Sequence, residues 1–363
     1  MKTVCLTAPA AWALSGVSTH LRHLQRSELA ARYRLVHFQV GREGRVENGL
    51  QRLGRLALGP AAFSRFLRRE RIDLVHFNSS MDGKAFFRDM SLALAARTVG
   101  ARIVFQIHGG ELAERFLRRQ KLAQPIIDRL CRLPDAWVFL YEAERRSLRA
   151  VFPVARAEVI PNGVEAAAYD ISRTERSAQA VVFGYLGRLV EAKGIGDAIE
   201  ALALLKREGR LPPLEFRIAG DGPDRDRLRA LAAEHGLDEV VSFPGTLYDA
   251  AKIDFLKNID VLLFPSHGEG LPYTLLEAMA AGAAVVTTPL GGIPDVLVEE
   301  ENALFVPPKD PPAIAAAVVR LARSAPLRRA MGEANAARIR VSYTTEAVAR
   351  RIGELYAKVL CES

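Results

Sequence analysis

The sequence predicts an α/β protein made of two doubly wound parallel sheets, each covered by helices on both faces. Three observations lead there. Short apolar runs rich in Val, Ile and Phe recur along the chain, helical patterns alternate with them, and the alternation restarts past the middle. In the front half, Thr3–Thr7, Arg34–Val40, Asp73–Phe77, Arg102–His108, Ala136–Leu140 and Glu158–Ile160 read as strands. Their near-continuous apolar character is what burial on both faces requires. Helical patterns fill the gaps at Thr19–Ala31, Ala61–Arg71, Lys84–Val99, Ala113–Leu133 (broken near Pro125) and Glu142–Phe152. A junction follows at Pro161-Asn162-Gly163-Val164 and the polar stretch Asp170–Gln179.

Strands resume at Val181–Leu186, Glu215–Ala219, Val240–Phe243, Val261–Phe264, Ala284–Thr287 and Ala303–Val306. Helices are expected at Ile195–Arg207, Asp224–His235, Ala250–Asn258, Thr274–Ala281, Pro311–Arg323 and Pro326–Ser342, with Glu346–Leu360 as a last amphipathic helix. The expected division is residues 1–165, residues 166–342, and a C-terminal helix within 343–363 that packs back toward the first domain. Length agrees, because 363 residues at about 150 per domain make two. Sheets of this kind bind ligands beyond the carboxyl ends of their strands, so a cleft between two facing domains is the expected active site.

Composition narrows the function classes. With 49% hydrophobic and 25% charged residues, the chain is neither collagenous, disordered nor a polytopic membrane protein. Charge is uneven. Residues 1–165 hold 27 Lys and Arg against 15 Asp and Glu, while residues 166–363 hold 23 against 27. A basic front half suggests a partner carrying negative charge. Nucleic acid is a weak reading, since the arginines are spread over many helices without an aromatic platform. Cys5, Cys131 and Cys361 are too few and scattered for a disulfide framework or a zinc site, which points to a reducing cytoplasm. Thr3–Leu21 is uncharged and contains Ala11-Trp12-Ala13, as a leader peptide would, but Thr7 and Pro9 interrupt it and a buried first strand explains the same residues. The uncharged run Ala278–Pro294 holds too many Gly and Pro residues to span a membrane.

Two loops carry the chemistry. The first is Pro265-Ser266-His267-Gly268-Glu269-Gly270-Leu271-Pro272-Tyr273-Thr274-Leu275-Leu276-Glu277, directly after a strand. Pro272 suits a first helical turn, where its missing N–H costs nothing. The N–H groups of Leu271, Tyr273 and Thr274 would then mark an anion site at a helix start. Glu277 would sit about five residues in, roughly 7 Å further along the axis. Alone, Glu269 reads as a residue that complements the helix dipole, but that leaves the crowd of Ser, Gly and Pro unexplained. The second loop is Gly187-Arg188-Leu189 followed by Lys193-Gly194, where Arg and Lys five residues apart can clamp a diphosphate. It is neither a P-loop nor a dinucleotide glycine motif. The loop Gly220-Asp221-Gly222-Pro223 reads as a turn feeding a helix. His20 and His23 share a helical face without the further ligands a metal needs. Asn78-Ser79-Ser80 fits a glycosylation sequon, which is moot in a cytoplasmic chain.

These motifs, with Ser15-Gly16, His108-Gly109 and Ile160-Pro161-Asn162-Gly163-Val164 in the same order, resemble the retaining glycosyltransferases of family 4, whose architecture of two facing Rossmann-like domains is called GT-B. The resemblance covers nearly the whole chain and includes the family's Glu-x7-Glu motif as Glu269 and Glu277. It implies that Arg188 and Lys193 hold the donor diphosphate, Glu277 the ribose, and Glu269 the transferred sugar. Gly270, Leu271, Tyr273 and Thr274 would complete the donor site, Gly16 would let backbone approach the phosphate, and His108 would hydrogen-bond the sugar across the cleft. Ala283, Asp295 and Tyr141 depart from the family's usual Pro, Glu and Ser; none is a diphosphate ligand.

The expected function is therefore transfer of a sugar from a nucleotide-diphosphate sugar, UDP-sugar favoured, to a glycan or lipid-linked saccharide, with no metal and no other cofactor. A sugar-nucleotide epimerase, which would need front-domain acids such as Asp82 or Glu111, and a non-catalytic nucleotide- or polyanion-binding protein are the alternatives. An anionic membrane surface is a further expected partner. Phe63-Ser64-Arg65-Phe66-Leu67-Arg68-Arg69 and Leu112–Arg132 set Phe, Leu and Ile beside Arg115, Arg118, Arg119, Lys121 and Arg129, as a helix lying on the inner face of the cytoplasmic membrane would.

Overall fold

The computed structural model describes residues 1–13, 15–41, 49–110, 115–116, 124–152, 154, 156–170 and 180–361, leaving out the side chains of 49–57. The chain forms two compact units. One is Met1–Gly163 with Thr345–Ser363, the other Val164–Thr344.

The first unit is a six-stranded sheet of β1 (Thr3–Ala8), β2 (Arg34–Gln39), β3 (Leu74–Met81), β4 (Arg102–Gly110), β5 (Ala136–Phe139) and β6 (Ala157–Val159). The order is β2-β1-β3-β4-β5-β6 and every pairing is parallel. Successive side chains point to opposite faces of a strand. Trp137 and Phe139 accordingly join one core cluster with Phe63, Leu67, Phe86 and Met90, while Ala136 and Val138 join another with Leu21 and Leu24. The second cluster is completed from the chain's far end. Val348, Ile352, Leu355, Tyr356 and Val359 of the helix Thr345–Cys361 recur at helical spacing and are all buried there. At about 1.5–3 kcal/mol per fully buried large apolar side chain, this helix contributes heavily to the unit's stability.

The second unit contains β7 (Val181–Leu186), β8 (Leu214–Ala219), β9 (Val241–Gly245), β10 (Val261–Phe264), β11 (Ala284–Thr287) and β12 (Leu304–Phe305). Its order is β9-β8-β7-β10-β11-β12, again wholly parallel. The strand order reverses between β7 and β10, the point beside which such sheets bind ligands. In the first unit the reversal falls between β1 and β3.

The two α/β units with parallel sheets agree with the fold class read from the sequence, and the differences are local. The helical pattern Thr19–Ala31 divides into Gly16–Arg26 and a single turn, Leu29–Arg32. Ser27 ends the first helix, because its hydroxyl donates to Leu24 O at 2.8 Å while its own backbone turns extended. The helix expected over Ala61–Arg71 begins earlier and runs Gly49–Glu70. Pro272 lies just outside its helix as an extended cap, and helical geometry starts at Tyr273. Of Ala113–Leu133, the segment Gln124–Leu130 is helical. Residues 111–114 and 117–123, which include Glu111, Leu112, Arg118, Arg119 and Lys121, lie outside the described residues, as do 171–179 of the junction.

Part of the expected membrane face is buried instead, while Ile126 of the second segment is exposed. Phe63 and Leu67 are fully buried, and Phe63 packs its ring against Phe38 and Phe77. The helix lays Phe63 and Leu67 on the sheet and leaves Leu58, Ala61, Ala62, Arg65, Arg68 and Arg69 exposed. Phe116 and Ile127 are core residues too. No helix among the described residues is long and apolar enough to cross a membrane.

Two histidines, His20 and His76, are buried in the first unit. His76 Nδ1 lies 2.6 Å from the Tyr356 hydroxyl, and the rings of His20 and His76 meet edge to face. Burial pulls the His76 pKa down to about 4, and burial with three neighbouring histidines lowers that of His20. The unfolded chain takes up these protons near pH 6.5, whereas the folded one resists. Stability is therefore full above pH 6.5 and falls as the pH drops toward 4, by about 3 kcal/mol for His76 alone. Melting temperatures measured from pH 7.5 to 4.5 should drop steeply below 6.5, and more gently in His76→Gln.

Candidate functional site

The reversal point of the second sheet brings two loops together. The first leaves β7 as Gly187-Arg188-Leu189 and leans on the loop that leaves β8. Gly187 N–H donates to Ala219 O at 3.0 Å and Leu189 N–H to Asp221 O at 2.9 Å. Gly220 makes this possible: its φ is 139°, and a Cβ there would lie 1.8 Å from Gly187 O. The Gly220-Asp221-Gly222-Pro223 turn thus backs the Arg188 turn. Arg188 is exposed, and among the described residues its guanidinium meets no acidic partner.

The chain continues through a short 3-10 turn, Glu191–Lys193, into Gly194, whose φ of 67° is left-handed. A Cβ on Gly194 would stand 2.0 Å from Pro265 O, so this turn presses backbone to backbone on the loop leaving β10. Other contacts hold it there. His267 N–H donates to Ala192 O at 2.8 Å, and His267 Nε2 lies 2.6 Å from Asp197 Oδ2. Thr288 Oγ1 donates to Ser266 O at 2.6 Å, tying the same loop to the end of β11.

The contact brings Lys193 to Glu269. Lys193 Nζ donates to Glu269 Oε1 at 2.5 Å and lies over the Phe264 ring, 5.8 Å from its centre. Ser266 Oγ reaches the same Oε1 at 2.6 Å and Ala192 O at 3.1 Å; its single proton favours the nearer, charged acceptor. Both donors therefore converge on one oxygen. Two of the three ammonium protons of Lys193 are not used by Glu269.

Beyond Glu269, Gly270 O accepts from Gly292 N–H at 2.8 Å, Leu271 is buried, and the helix Tyr273–Ala280 begins. Tyr273 and Thr274 form its first turn, where the positive end of the dipole is strongest. Glu277 is the fifth residue of this helix and is buried. Its Oε1 accepts from Lys252 Nζ at 2.5 Å, and the Tyr169 hydroxyl bonds the same carboxylate. Burial and this neighbouring charge push the Tyr169 pKa well up, so the phenol remains a donor.

In the first unit, Gly16 opens the helix after β1, and the preceding Ser15 caps it by accepting from Ser18 N–H at 3.1 Å. His108, near the end of β4, lies 2.8 Å from Asn78 Oδ1 through Nε2, with the His20 ring 4.8 Å away. Burial, aided by His76, pulls the His108 pKa down to about 3, so the imidazole is neutral at physiological pH.

Lys193, Glu269, Gly270, Leu271, Tyr273, Thr274 and Glu277 thus lie along consecutive stretches at one end of the second sheet, with Arg188 on the turn before them. Gly16 and His108 belong to the first unit. Lys252, Tyr169, Asp197 and His267 were missed in the sequence. Only His267 carried a signal, by standing inside the Ser266–Glu269 loop. Among the described residues no group of three or more His, Cys, Asp or Glu side chains could hold a metal ion.

Comparison with known proteins agrees with this architecture. Residues 11–168 match the model of Glycosyltransferase Family 4, and residues 170–338 that of Glycosyl transferases group 1. Glycogen synthase of Mycobacterium tuberculosis is 34% identical over 166 residues, which make up 46% of this chain and 39% of that protein. The chain thus spans about two fifths of that relative's length. Sucrose-phosphate synthase from Thermosynechococcus elongatus superposes with a TM-score of 0.81 at 19% identity, over 100% of both chains. Anabaena HepE in complex with UDP-glucose does so with a TM-score of 0.75 at 17% identity, over 99% of this chain and 100% of that one. At such identities the likeness to the two structures is one of fold. With two parallel α/β units matched by two glycosyltransferase models from residue 11 to residue 338, the chain belongs to the family 4, GT-B superfamily of glycosyltransferases.

Proposed function

We propose that the protein is a retaining glycosyltransferase that moves a sugar from a nucleotide-diphosphate sugar, UDP-sugar favoured, to a glycan or lipid-linked saccharide in cell-surface polysaccharide or glycolipid synthesis. The observation that carries this reading is the pairing of Lys193 with Glu269 beside a helix start, with Glu277 buried within that helix. Membership of the superfamily supports it, and so does UDP-glucose in the Anabaena protein of the same fold.

In this mechanism the remaining Lys193 protons and the exposed Arg188 guanidinium bind the diphosphate. As the glycosidic bond breaks, negative charge grows on the leaving group, and these fixed cations and the helix dipole stabilise it without reorganising. They supply the charge that would otherwise call for a metal. Glu269 Oε1 is held by Lys193 and Ser266, so its other oxygen accepts from a sugar hydroxyl. Glu277, clamped by Lys252 and Tyr169, accepts from the ribose. His108 contacts the transferred sugar, and Gly16 lets backbone approach the phosphate. By resemblance to the family, the acceptor attacks the face from which the diphosphate departs, and the diphosphate takes the acceptor's proton.

Three outcomes follow. Glu277→Ala and Lys193→Met should each lose about tenfold or more in affinity for nucleotide diphosphate, read by calorimetry, with near-normal melting temperatures. Unchanged affinity in both would remove the site, and a panel of UDP-, GDP- and ADP-sugars would identify the base. The glycosidic bond of the product should keep the donor's anomeric configuration, as proton coupling constants report; inversion would end the retaining reading. With Phe63 and Leu67 buried, the exposed Arg65, Arg68 and Arg69 are what this segment offers an anionic bilayer. Each basic residue near an anionic surface contributes about 1 kcal/mol. Flotation with anionic vesicles should occur at low salt and vanish at high salt or with neutral lipid, and its absence at low salt points to a soluble acceptor.

A further inference from the structure

The Arg188 turn rests on an aromatic pair inside the second unit. Tyr185 on β7 and Phe264 on the adjacent β10 stack their rings 5.7 Å apart with 17° between the planes, and both are buried. Lys193 Nζ lies over the Phe264 face, and the Tyr185 hydroxyl donates to Arg188 O at 3.0 Å, so the pair touches both basic residues of the site. Gly187 admits the phenol, since a Cβ there would stand 2.7 Å from its oxygen. Burial, aided by the Glu269 charge, pushes the Tyr185 pKa up, so the hydroxyl keeps the proton that it donates. Arg188 O has a second lone pair, which accepts from Val190 N–H at 3.2 Å. On either side, Gly187 N–H donates to Ala219 O, and the buried Leu189 is bonded at both ends, to Asp221 O at 2.9 Å and Asp224 N–H at 3.1 Å. The main chain is therefore held before, at and after Arg188, while the side chain itself is exposed. A flexible cation carried on a fixed backbone has less freedom to lose when an anion arrives.

We propose that Tyr185 is a positioning residue for phosphate binding: its hydroxyl fixes the Arg188 carbonyl, so that the guanidinium is presented to the donor diphosphate from a preorganised turn. This rests on the reading of Arg188 as a diphosphate ligand. The stack on Phe264 keeps the phenol in place, and the hydroxyl acts on the phosphates only through Arg188. Its effect is therefore confined to ligands that carry phosphate and to protein that carries Arg188.

Two measurements on the full chain test this, and they fail separately. Tyr185→Phe keeps the ring stack and removes only the hydroxyl. Main-chain hydrogen exchange at Leu189 and Val190 should quicken by about fivefold or more in this variant, while Leu262 and Leu263 of β10 exchange as before. Unchanged exchange in the turn overturns the proposal whether or not the protein binds a nucleotide. Affinity is then measured for UDP, GDP and ADP, and for the nucleoside of whichever binds most tightly. Tyr185→Phe should weaken that diphosphate by about fivefold or more and leave its nucleoside within about twofold. An equal loss for both is a general loosening of the fold and overturns the proposal. Once Arg188→Met has weakened the diphosphate, adding Tyr185→Phe should cost less than about twofold more. Losses that simply multiply overturn the coupling between the two residues. Diphosphate bound by Arg188→Met as well as by the unaltered protein, or by neither, ends the reading of Arg188 as a diphosphate ligand instead, and exchange in the turn still decides whether Tyr185 holds it.

Discussion

The parallel pairing of β7 with β10 is the contact on which the candidate site depends. These strands lie 78 residues apart where Val261 pairs with Phe183, and their adjacency is what defines the reversal point of the second sheet. Because both run the same way, their following loops leave the sheet at neighbouring places. The loops then meet backbone to backbone, which a side chain on Gly194 would prevent. Lys193 and Glu269 become partners across 76 residues through this contact. Such a pair would be a solvated coincidence on an open surface. Here Glu269 is largely covered and receives a second donor from Ser266, so both charges are held in fixed places.

The first unit solves a different problem, that of polar groups within a doubly covered sheet. A charge there is expensive unless paired, and imidazoles meet the constraint by staying neutral. His76 bonds the Tyr356 hydroxyl, while His108 bonds Asn78. Tyr356 belongs to the terminal helix, so the end of the chain both closes the apolar core and satisfies a buried nitrogen.

The strands were legible because each is short, apolar and bounded by turn residues. Helix positions were legible from periodicity, but not their ends. Ser27 stops a helix whose apolar pattern runs on, since a side chain competing for Leu24 O is invisible to periodicity. Phe63 and Leu67 illustrate the opposite limit. An amphipathic pattern states that an apolar face exists, and both a sheet and a bilayer can cover it. Lys252 was one lysine in an ordinary helix until folding set it 2.5 Å from Glu277.

By itself the sequence determined the α/β class, the alternation of strand and helix, and the two loops that carry Arg188, Lys193, Glu269 and Glu277. Those features are local: periodicity, turn chemistry and spacing act over a few residues, and a single chain records them in order. Strand order, the partners of each carboxylate, the burial of Phe63 and the contact of His108 with Asn78 were decided only by tertiary structure. Each depends on segments that meet across 25 or more residues, so the physical cause, a close approach or a shared proton, exists only once the sheets have formed.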